Sequence, residues 1–142
     1  MSLRFNILKR RYDLRRRRSH YGVFLSPESQ TLTVRTGERA RFTFFVENDS
    51  EKPVTLRAEV QGLTLGWLAT LTRSDPHIPA DEAFWLAPEE RAHYLLILRP
   101  PRQLQTGVGQ AQLTVIDVEN ASMTASAVAI VEVKAALPET SE

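Results

Sequence analysis

The chain has 142 residues, which is enough for one domain with a hydrophobic core and for additional tails. Its composition, 42% hydrophobic and 25% charged, is ordinary for a globular domain, and no apolar run approaches the roughly 18 residues that a membrane-spanning helix needs. The chain contains no cysteine, which excludes a disulfide framework and a thiolate site.

The formal net charge of +1 conceals a strong asymmetry along the chain. Residues 1–22 contain eight Lys or Arg residues and one Asp, a charge of +7, so the remaining 120 residues carry −6. We interpret residues 1–22 as a basic N-terminal arm on a mildly acidic body. The predicted partner-binding residues of this arm are Arg4, Phe5, Ile7, Leu8, Lys9, Arg10, Arg11, Tyr12, Arg15, Arg16, Arg17 and Arg18.

The arm does not read as a targeting signal. The segment after Arg18, SHYGVFLSPES, is too short and too polar for the apolar part of a secretory or twin-arginine signal, and the serine content is low for a transit peptide. We therefore expect the arm to belong to the mature protein, located in the cytoplasm or incorporated in a particle.

Four interpretations of the arm remain open at this point. It docks into a groove on an acidic protein assembly, with Phe5, Ile7, Leu8 and Tyr12 as anchors and arginines that bridge carboxylates. It binds nucleic acid, since arginines neutralise phosphates and aromatic rings stack on bases. It binds anionic lipid, or it is a solvated tail.

The body is organised around a stretch, from Leu32 to Trp67, that has the pattern of three strands separated by two turns and closed by a tryptophan. The first strand of the domain, through Leu32 and Val34, lies between turns at 26–28 and 36–37. The second strand places Phe45 on an otherwise polar outer face, where we expect a neighbour to cover it. The predicted inward positions of the second and third strands are Ala40, Phe42, Phe44, Val46, Val54, Leu56, Ala58 and Val60.

Further strands follow a proline-containing loop at 73–82. Residues 83–86 form a short strand, residues 92–98 are apolar on both faces and predict a central strand, and residues 110–118 and 124–133 predict a hairpin around 119–122. Seven to eight short strands with regular turn signals predict an all-β, immunoglobulin-like antiparallel β-sandwich over residues 23–134. Residues 135–142 form a polar C-terminal tail.

The order of landmarks resembles the bacterial α-galactosidase-associated (NPCBM-associated) immunoglobulin-like domain over residues 26–118. The landmarks are Gly37, Asn48, Gly62-Leu63 with Trp67, Leu86-Ala87-Pro88, Pro100-Pro101 and Gly107. The resemblance implies an immunoglobulin-like fold and no chemistry, since such domains are accessory modules on sugar-processing enzymes, surface proteins and phage-tail-like particles. The basic arm departs from the exported members, which carry a signal peptide there.

The sequence offers no convincing catalytic or metal constellation. The three histidines, His20, His77 and His93, lack the paired spacing of a zinc site. Asp75 and His77 lack a nucleophile elbow. We therefore predict no catalytic residue, no metal ligand, no cofactor and no enzymatic activity. Consecutive Glu89 and Glu90 point apart in a turn, and Gly107-Val108-Gly109 is too short for a phosphate loop.

Two tryptophans raise the question of sugar stacking. Trp67 and Trp85 either form an aromatic platform, or Trp67 closes the core while Trp85 lies half-exposed.

The leading hypothesis is a non-enzymatic structural protein that docks through its arm on a larger assembly, in multiple copies, within a virion or a phage-tail-like contractile particle. The alternatives are a nucleic-acid-associated protein that uses the same arm and an accessory sugar-binding domain.

Overall fold

The computed structural model describes residues 22–73 and 82–136, so the predicted arm lies outside the described part. The described residues form strands joined by turns. In chain order the strands are β1 (Val23–Pro27), β2 (Thr31–Arg35), β3 (Ala40–Asn48), β4 (Val54–Gln61), β5 (Leu68–Arg73), β6 (Phe84–Leu86), β7 (Arg91–Arg99), β8 (Gly107–Asp117) and β9 (Asn120–Lys134).

The strands form two sheets that pack as an immunoglobulin-like sandwich. One sheet has the order β1-β3-β7-β5 and the other the order β2-β9-β8-β4-β6. All neighbours are antiparallel except β2 and β9, which run parallel. The predicted fold class is confirmed, although the prediction of seven to eight antiparallel strands did not place β1 or β5 and did not foresee the parallel pairing of β2 with β9.

Strand β3 shows why this sequence builds a sandwich. Its side chains alternate between a buried and a more exposed face, and Phe42, Phe44 and Val46 are buried as predicted. Phe45 on the outer face is covered by neighbours from β7: the His93 ring centroid lies 6.2 Å from its own, and the Arg91 guanidinium lies 4.0 Å from its ring centroid. The period of two therefore sets which apolar residues enter the core.

The predicted first strand, through Leu32 and Val34, is β2, and β1 before it is a further strand that lies on the other sheet. β1 pairs with β3, whereas β2 pairs with β9. The chain crosses between the sheets over Glu28–Gln30, where the Glu28 amide donates to the Thr43 carbonyl at 2.7 Å and the Ile130 amide donates to the Gln30 carbonyl at 2.8 Å. Pro27 ends β1 at the border of its sheet, a position that tolerates a residue without an N–H group.

β5 is a second strand that the sequence pattern did not predict. It runs along β7, where Leu68 pairs with Arg99 and Arg73 pairs with Tyr94. Its pattern misleads because Leu68 at its start is 67% exposed, while Arg73 at its end is only half-buried. With β3 on one side and β5 on the other, β7 is central in its sheet, as its apolar composition predicted.

The C-terminal hairpin is longer than predicted. β8 begins at Gly107, and its turn with β9 lies at Val118 and Glu119, where the Glu119 amide donates to Asp117 Oδ1 at 2.9 Å. Trp67, which precedes β5, is 6% exposed and belongs to the core, as predicted. The hairpin and Trp67 together close one end of the sandwich.

Candidate functional site

A basic cleft opens at the end of the four-stranded sheet where β3 and β5 begin and β7 ends. Its volume is about 680 Å³. Two short turns and the residues beside them form its walls, and we call it the arginine cleft. Its lining residues are Gly37, Glu38, Arg39, Arg41, Gly66, Leu68, Arg99, Pro100, Pro101 and Arg102.

Two glycine turns shape the walls of the arginine cleft. Gly37 has φ of 85°, and the turn is held by the Glu38 amide, which donates to the Arg35 carbonyl at 2.9 Å. Gly66 has φ of 87°, and a Cβ placed there would lie 3.6 Å from Pro101 Cγ. Both backbone conformations favour glycine, so the local sequence fixes the two walls.

The side chains that line the arginine cleft are predominantly positively charged. Arg39, Arg41, Arg99 and Arg102 are exposed, and none of them makes an ion pair within residues 22–73 and 82–136. Glu38 is the acidic residue among the lining side chains, and its Oε1 already accepts a hydrogen bond of 2.6 Å from the Arg35 amide. The cleft therefore presents four guanidinium groups against one carboxylate.

Gly22, the residue that follows the predicted arm, lies at the opposite end of the same sheet. Gly22 begins the described chain there, and its carbonyl accepts a hydrogen bond from the Asp49 amide. A Cβ on Gly22, whose φ is 76°, would lie 2.7 Å from Ser50 Cβ. The backbone at Gly22 thus contacts the turn between β3 and β4.

That turn is built on a fully buried asparagine. Asn48 Nδ2 donates to the carbonyls of Lys52 at 2.8 Å and Leu86 at 3.0 Å, and its Oδ1 accepts from the Ser50 amide at 3.0 Å. The Asn48 backbone also exchanges hydrogen bonds with the turn between β6 and β7, through Glu89 and Glu90. This network provides hydrogen-bond partners for both polar atoms of the buried side-chain amide.

A partly buried cation lies between β5 and β6. The Arg73 guanidinium carbon lies 4.0 Å from the centroid of the Phe84 ring, an arrangement typical of a cation–π contact. The neighbouring Tyr94 is fully buried, and its hydroxyl has no hydrogen-bond partner in the described chain. Burial raises the pKa of Tyr94 well above its usual value of 10, and the Arg73 charge opposes part of that shift.

Within residues 22–73 and 82–136, the side chains considered for catalysis do not form a common site. His93 is exposed on β7 beside Phe45. Glu90 Oε1 accepts a hydrogen bond of 2.9 Å from the Ala87 amide, while Glu89 adopts a left-handed φ of 65°. The described residues contain no group of three or more His, Asp or Glu side chains that fits a metal ion. His20, Asp75 and His77 lie outside the described residues.

The glycine and tryptophan motifs have structural positions. Gly107, Val108 and Gly109 lie on β8 rather than in a loop. Trp67 is buried, whereas Trp85 on β6 is 63% exposed. A platform of two exposed tryptophans is therefore wrong, and the alternative that Trp67 closes the core is confirmed. All predicted arm residues, from Arg4 to Arg18, lie outside the described part.

No family model matches the chain, and no curated protein matches it. Among solved structures, a family 123 glycoside hydrolase from Clostridium perfringens matches 82% of this chain at 12% identity and a TM-score of 0.58. Escherichia coli α-2-macroglobulin, from domain MG7 to its C-terminus, matches 84% at 20% identity and a TM-score of 0.57. A FixG-related protein from Vibrio parahaemolyticus matches 80% at 14% identity and a TM-score of 0.54.

These likenesses show the fold alone. The chain spans 28% of the glycoside hydrolase chain and 18% of the macroglobulin chain, but it matches 97% of the FixG-related chain. A similar fold thus occurs as part of longer chains and as almost the whole of a chain. Membership of the α-galactosidase-associated family stays a prediction. Among the described residues, no helix is long and apolar enough to cross a membrane.

Proposed function

We propose that this chain is a non-enzymatic structural and interaction protein that docks on a larger protein assembly through its basic N-terminal arm. The observation that carries the proposal is the partition of charge, with +7 on residues 1–22 and −6 on the remaining 120 residues. A body with this excess of acid repels polyanions at long range. A basic arm on such a body is a separate binding element.

The attachment of the arm supports this assignment. Gly22, which follows the predicted arm, accepts a hydrogen bond from the Asp49 amide, and the Asn48 network holds the same turn, so the arm would join the sandwich at a well-bonded turn. The proposed setting is a virion or a phage-tail-like contractile particle assembled in the cytoplasm, with several copies of the chain in each particle.

The composition of the arm favours a protein surface over nucleic acid. Its apolar residues, above all Phe5, Ile7 and Leu8, fit pockets at the centre of a protein interface, where anchors carry most of the binding energy. Arginines beside them pair with carboxylates in a bidentate manner. Nucleic acid is the second candidate, because the same arm has the charge and the aromatic residues for phosphate and base contacts.

A salt series with arm variants tests the proposal. The native assembly is captured by the full chain, by Phe5→Ala/Ile7→Ala/Leu8→Ala, and by a form with Lys in place of Arg15, Arg16, Arg17 and Arg18. Docking on protein predicts that both variants weaken capture severely, because one loses anchors and the other loses bidentate pairing. The dependence on salt should be gentle.

Nucleic-acid binding predicts a different pattern. With about six phosphates neutralised, the logarithm of affinity falls with the logarithm of salt at a slope of about −4 to −5. The Arg-to-Lys form then binds nearly as well as the parent, and the apolar anchors matter less than the charge. That pattern, together with loss of capture after nuclease treatment, would replace the protein-docking proposal by the nucleic-acid one.

A further inference from the structure

We propose that the arginine cleft is a second docking site, which binds an acidic peptide segment of a partner protein. The proposal goes beyond docking through the arm and stands on different residues. It rests on the chemistry of the cleft walls, on a like-charge cluster within them and on the position of the cleft in the fold.

The concentration of positive charge in the cleft is unusual for this body. Eight of the 18 Lys and Arg residues lie in residues 1–22, which leaves ten in the rest of the chain. Four of those ten line this one cleft. By contrast Arg57, on the outer face of β4, lies 3.1 Å from Glu59 Oε1. The cleft arginines are therefore available to an external anion.

The backbone register places like charges side by side. Ala40 and Leu98 are register partners on β3 and β7. Arg39 directly precedes Ala40 and Arg99 directly follows Leu98, so the two arginines continue the register, and Arg41 is the second residue of β3. Like charges opposite one another on adjacent strands are destabilising. An anion bound between them relieves this repulsion.

The rest of the lining selects a class of anion. Leu68 is 67% exposed, and Pro100 and Pro101 lie beside the guanidinium groups, so the cleft offers apolar contact as well as charge. None of its lining residues is aromatic, which leaves no surface on which a base or a sugar ring stacks. Carboxylates next to an aliphatic side chain fit both features, since arginine pairs with carboxylate in a bidentate manner.

The size and position of the cleft agree with a second, separate site. A volume of about 680 Å³ accommodates several side chains of a peptide. The cleft lies at the start of β3, whereas Gly22 lies at its end, beside Asn48. The nine residues of β3 correspond to about 27 Å. A protein with anionic partners bound at both ends bridges two subunits of an assembly.

The test is an amide-resolved NMR titration of the full chain with the synthetic peptide Glu-Leu-Glu-Glu-Leu-Glu. The proposal predicts saturable shifts at the amides of Gly37, Gly66 and Leu68. The variant Arg39→Gln/Arg41→Gln/Arg99→Gln should raise the Kd at these amides at least about tenfold. The matched control Lys52→Gln/Arg57→Gln/Lys134→Gln loses the same charge at exposed positions outside the cleft and should change the Kd less than about twofold.

Two further variants sharpen the assignment. Replacing Arg39, Arg41 and Arg99 by Lys keeps the charge but removes bidentate pairing, so the Kd should still rise about threefold or more. Replacing Arg15, Arg16, Arg17 and Arg18 by Gln should leave the cleft shifts intact. Loss of docking through the arm and loss of peptide binding at the cleft therefore give different experimental results.

Several results would overturn the proposal. The first is an absence of cleft shifts in a folded protein, and the second is equal weakening by the cleft variant and its control. The third is binding of inorganic tripolyphosphate or a single-stranded oligonucleotide at the same amides as tightly as the peptide, which would assign the cleft to phosphates. The dispersed amide spectrum of each variant shows that it is folded before its titration is interpreted.

Discussion

The indole ring of Trp67 occupies the space that a side chain at Gly109 would fill. A Cβ built on Gly109 would overlap the Trp67 ring carbons Cε2, Cζ2 and Cη2. Trp67 leads into β5 of one sheet, whereas Gly109 lies on β8 of the other. This contact joins the two sheets at the end of the sandwich that carries the arginine cleft, and it explains why a glycine lies in the middle of a strand.

The first prediction follows from that contact. Gly109→Ala forces the indole or the strand to move, and we expect a loss of about 1–3 kcal/mol in the free energy of unfolding, as in other overpacked cores. Gln110→Ala, on the exposed face of the same strand, is the control and should stay within about 0.5 kcal/mol. Chemical denaturation measures both, and equal stabilities would contradict the packing described here.

The second prediction concerns Asn48. Asn48→Ala removes the Nδ2 donor of the buried Leu86 carbonyl and one of the two side-chain donors of the Lys52 carbonyl, and it removes the acceptor of the Ser50 amide. We expect a loss of about 2–4 kcal/mol. Ser50→Ala removes one hydroxyl from the same turn and should cost about 0.5–1.5 kcal/mol. The prediction fails if the two variants have the same denaturation midpoint.

The third prediction is a dependence of stability on pH. The pKa of Tyr94 is raised in the folded protein, so the unfolded state ionises first as the pH passes about 10. The unfolded state then binds fewer protons than the folded state, and the folded protein loses about 1.4 kcal/mol per pH unit above that value through this residue. Below pH 10 this contribution is constant.

Tyr94→Phe provides the comparison for that pH dependence. The variant removes a buried hydroxyl that has no hydrogen-bond partner in the described chain, so at pH 7 its stability should equal or slightly exceed that of the parent. Above pH 10 its advantage over the parent should grow with pH. Denaturation curves at pH 7, 10 and 11 measure this, and parallel pH profiles would be evidence against the burial of Tyr94.

The fourth prediction uses the backbone of Glu89. Its φ of 65° is unfavourable for a residue with a side chain, and Glu89 is exposed. Glu89→Gly should therefore stabilise the protein by about 0.5–1 kcal/mol. Glu89→Ala removes the same charge without relieving the backbone and should give no gain. Thermal unfolding of the pair checks this, and a gain from both variants would point to charge rather than conformation.

Much of the fold was predictable because the alternation of apolar and polar residues and the positions of turn residues determine most of the strands. The core positions of β3, the central place of β7 and the burial of Trp67 all follow from local pattern. β5 was missed because its first residue, Leu68, is exposed and its last, Arg73, stacks on Phe84, which reverses the expected alternation. The parallel pairing of β2 with β9 depends on chain ends that are remote in sequence, and no local signal reports it.

The two candidate sites also differ in how far the sequence could predict them. The arm was predictable from composition, since its charge is contiguous in sequence. The arginine cleft was not, because Arg39, Arg41, Arg99 and Arg102 come from two separate segments and meet only through the register of β3 and β7. The arginines on either side of Ala40 are the one sequence feature that belongs to the cleft. They are equally expected on the exposed face of an ordinary strand, so they did not indicate a binding site.

The most direct test of the account is co-purification with the native assembly. The full chain and a form that lacks residues 1–22 are expressed in the native host, and the assembly is isolated intact. We expect the full chain to co-purify and the shortened form to be lost from the assembly, while the fragment 23–134 still unfolds cooperatively. Docking that survives the removal of residues 1–22 would contradict the claim that the arm is the main binding element.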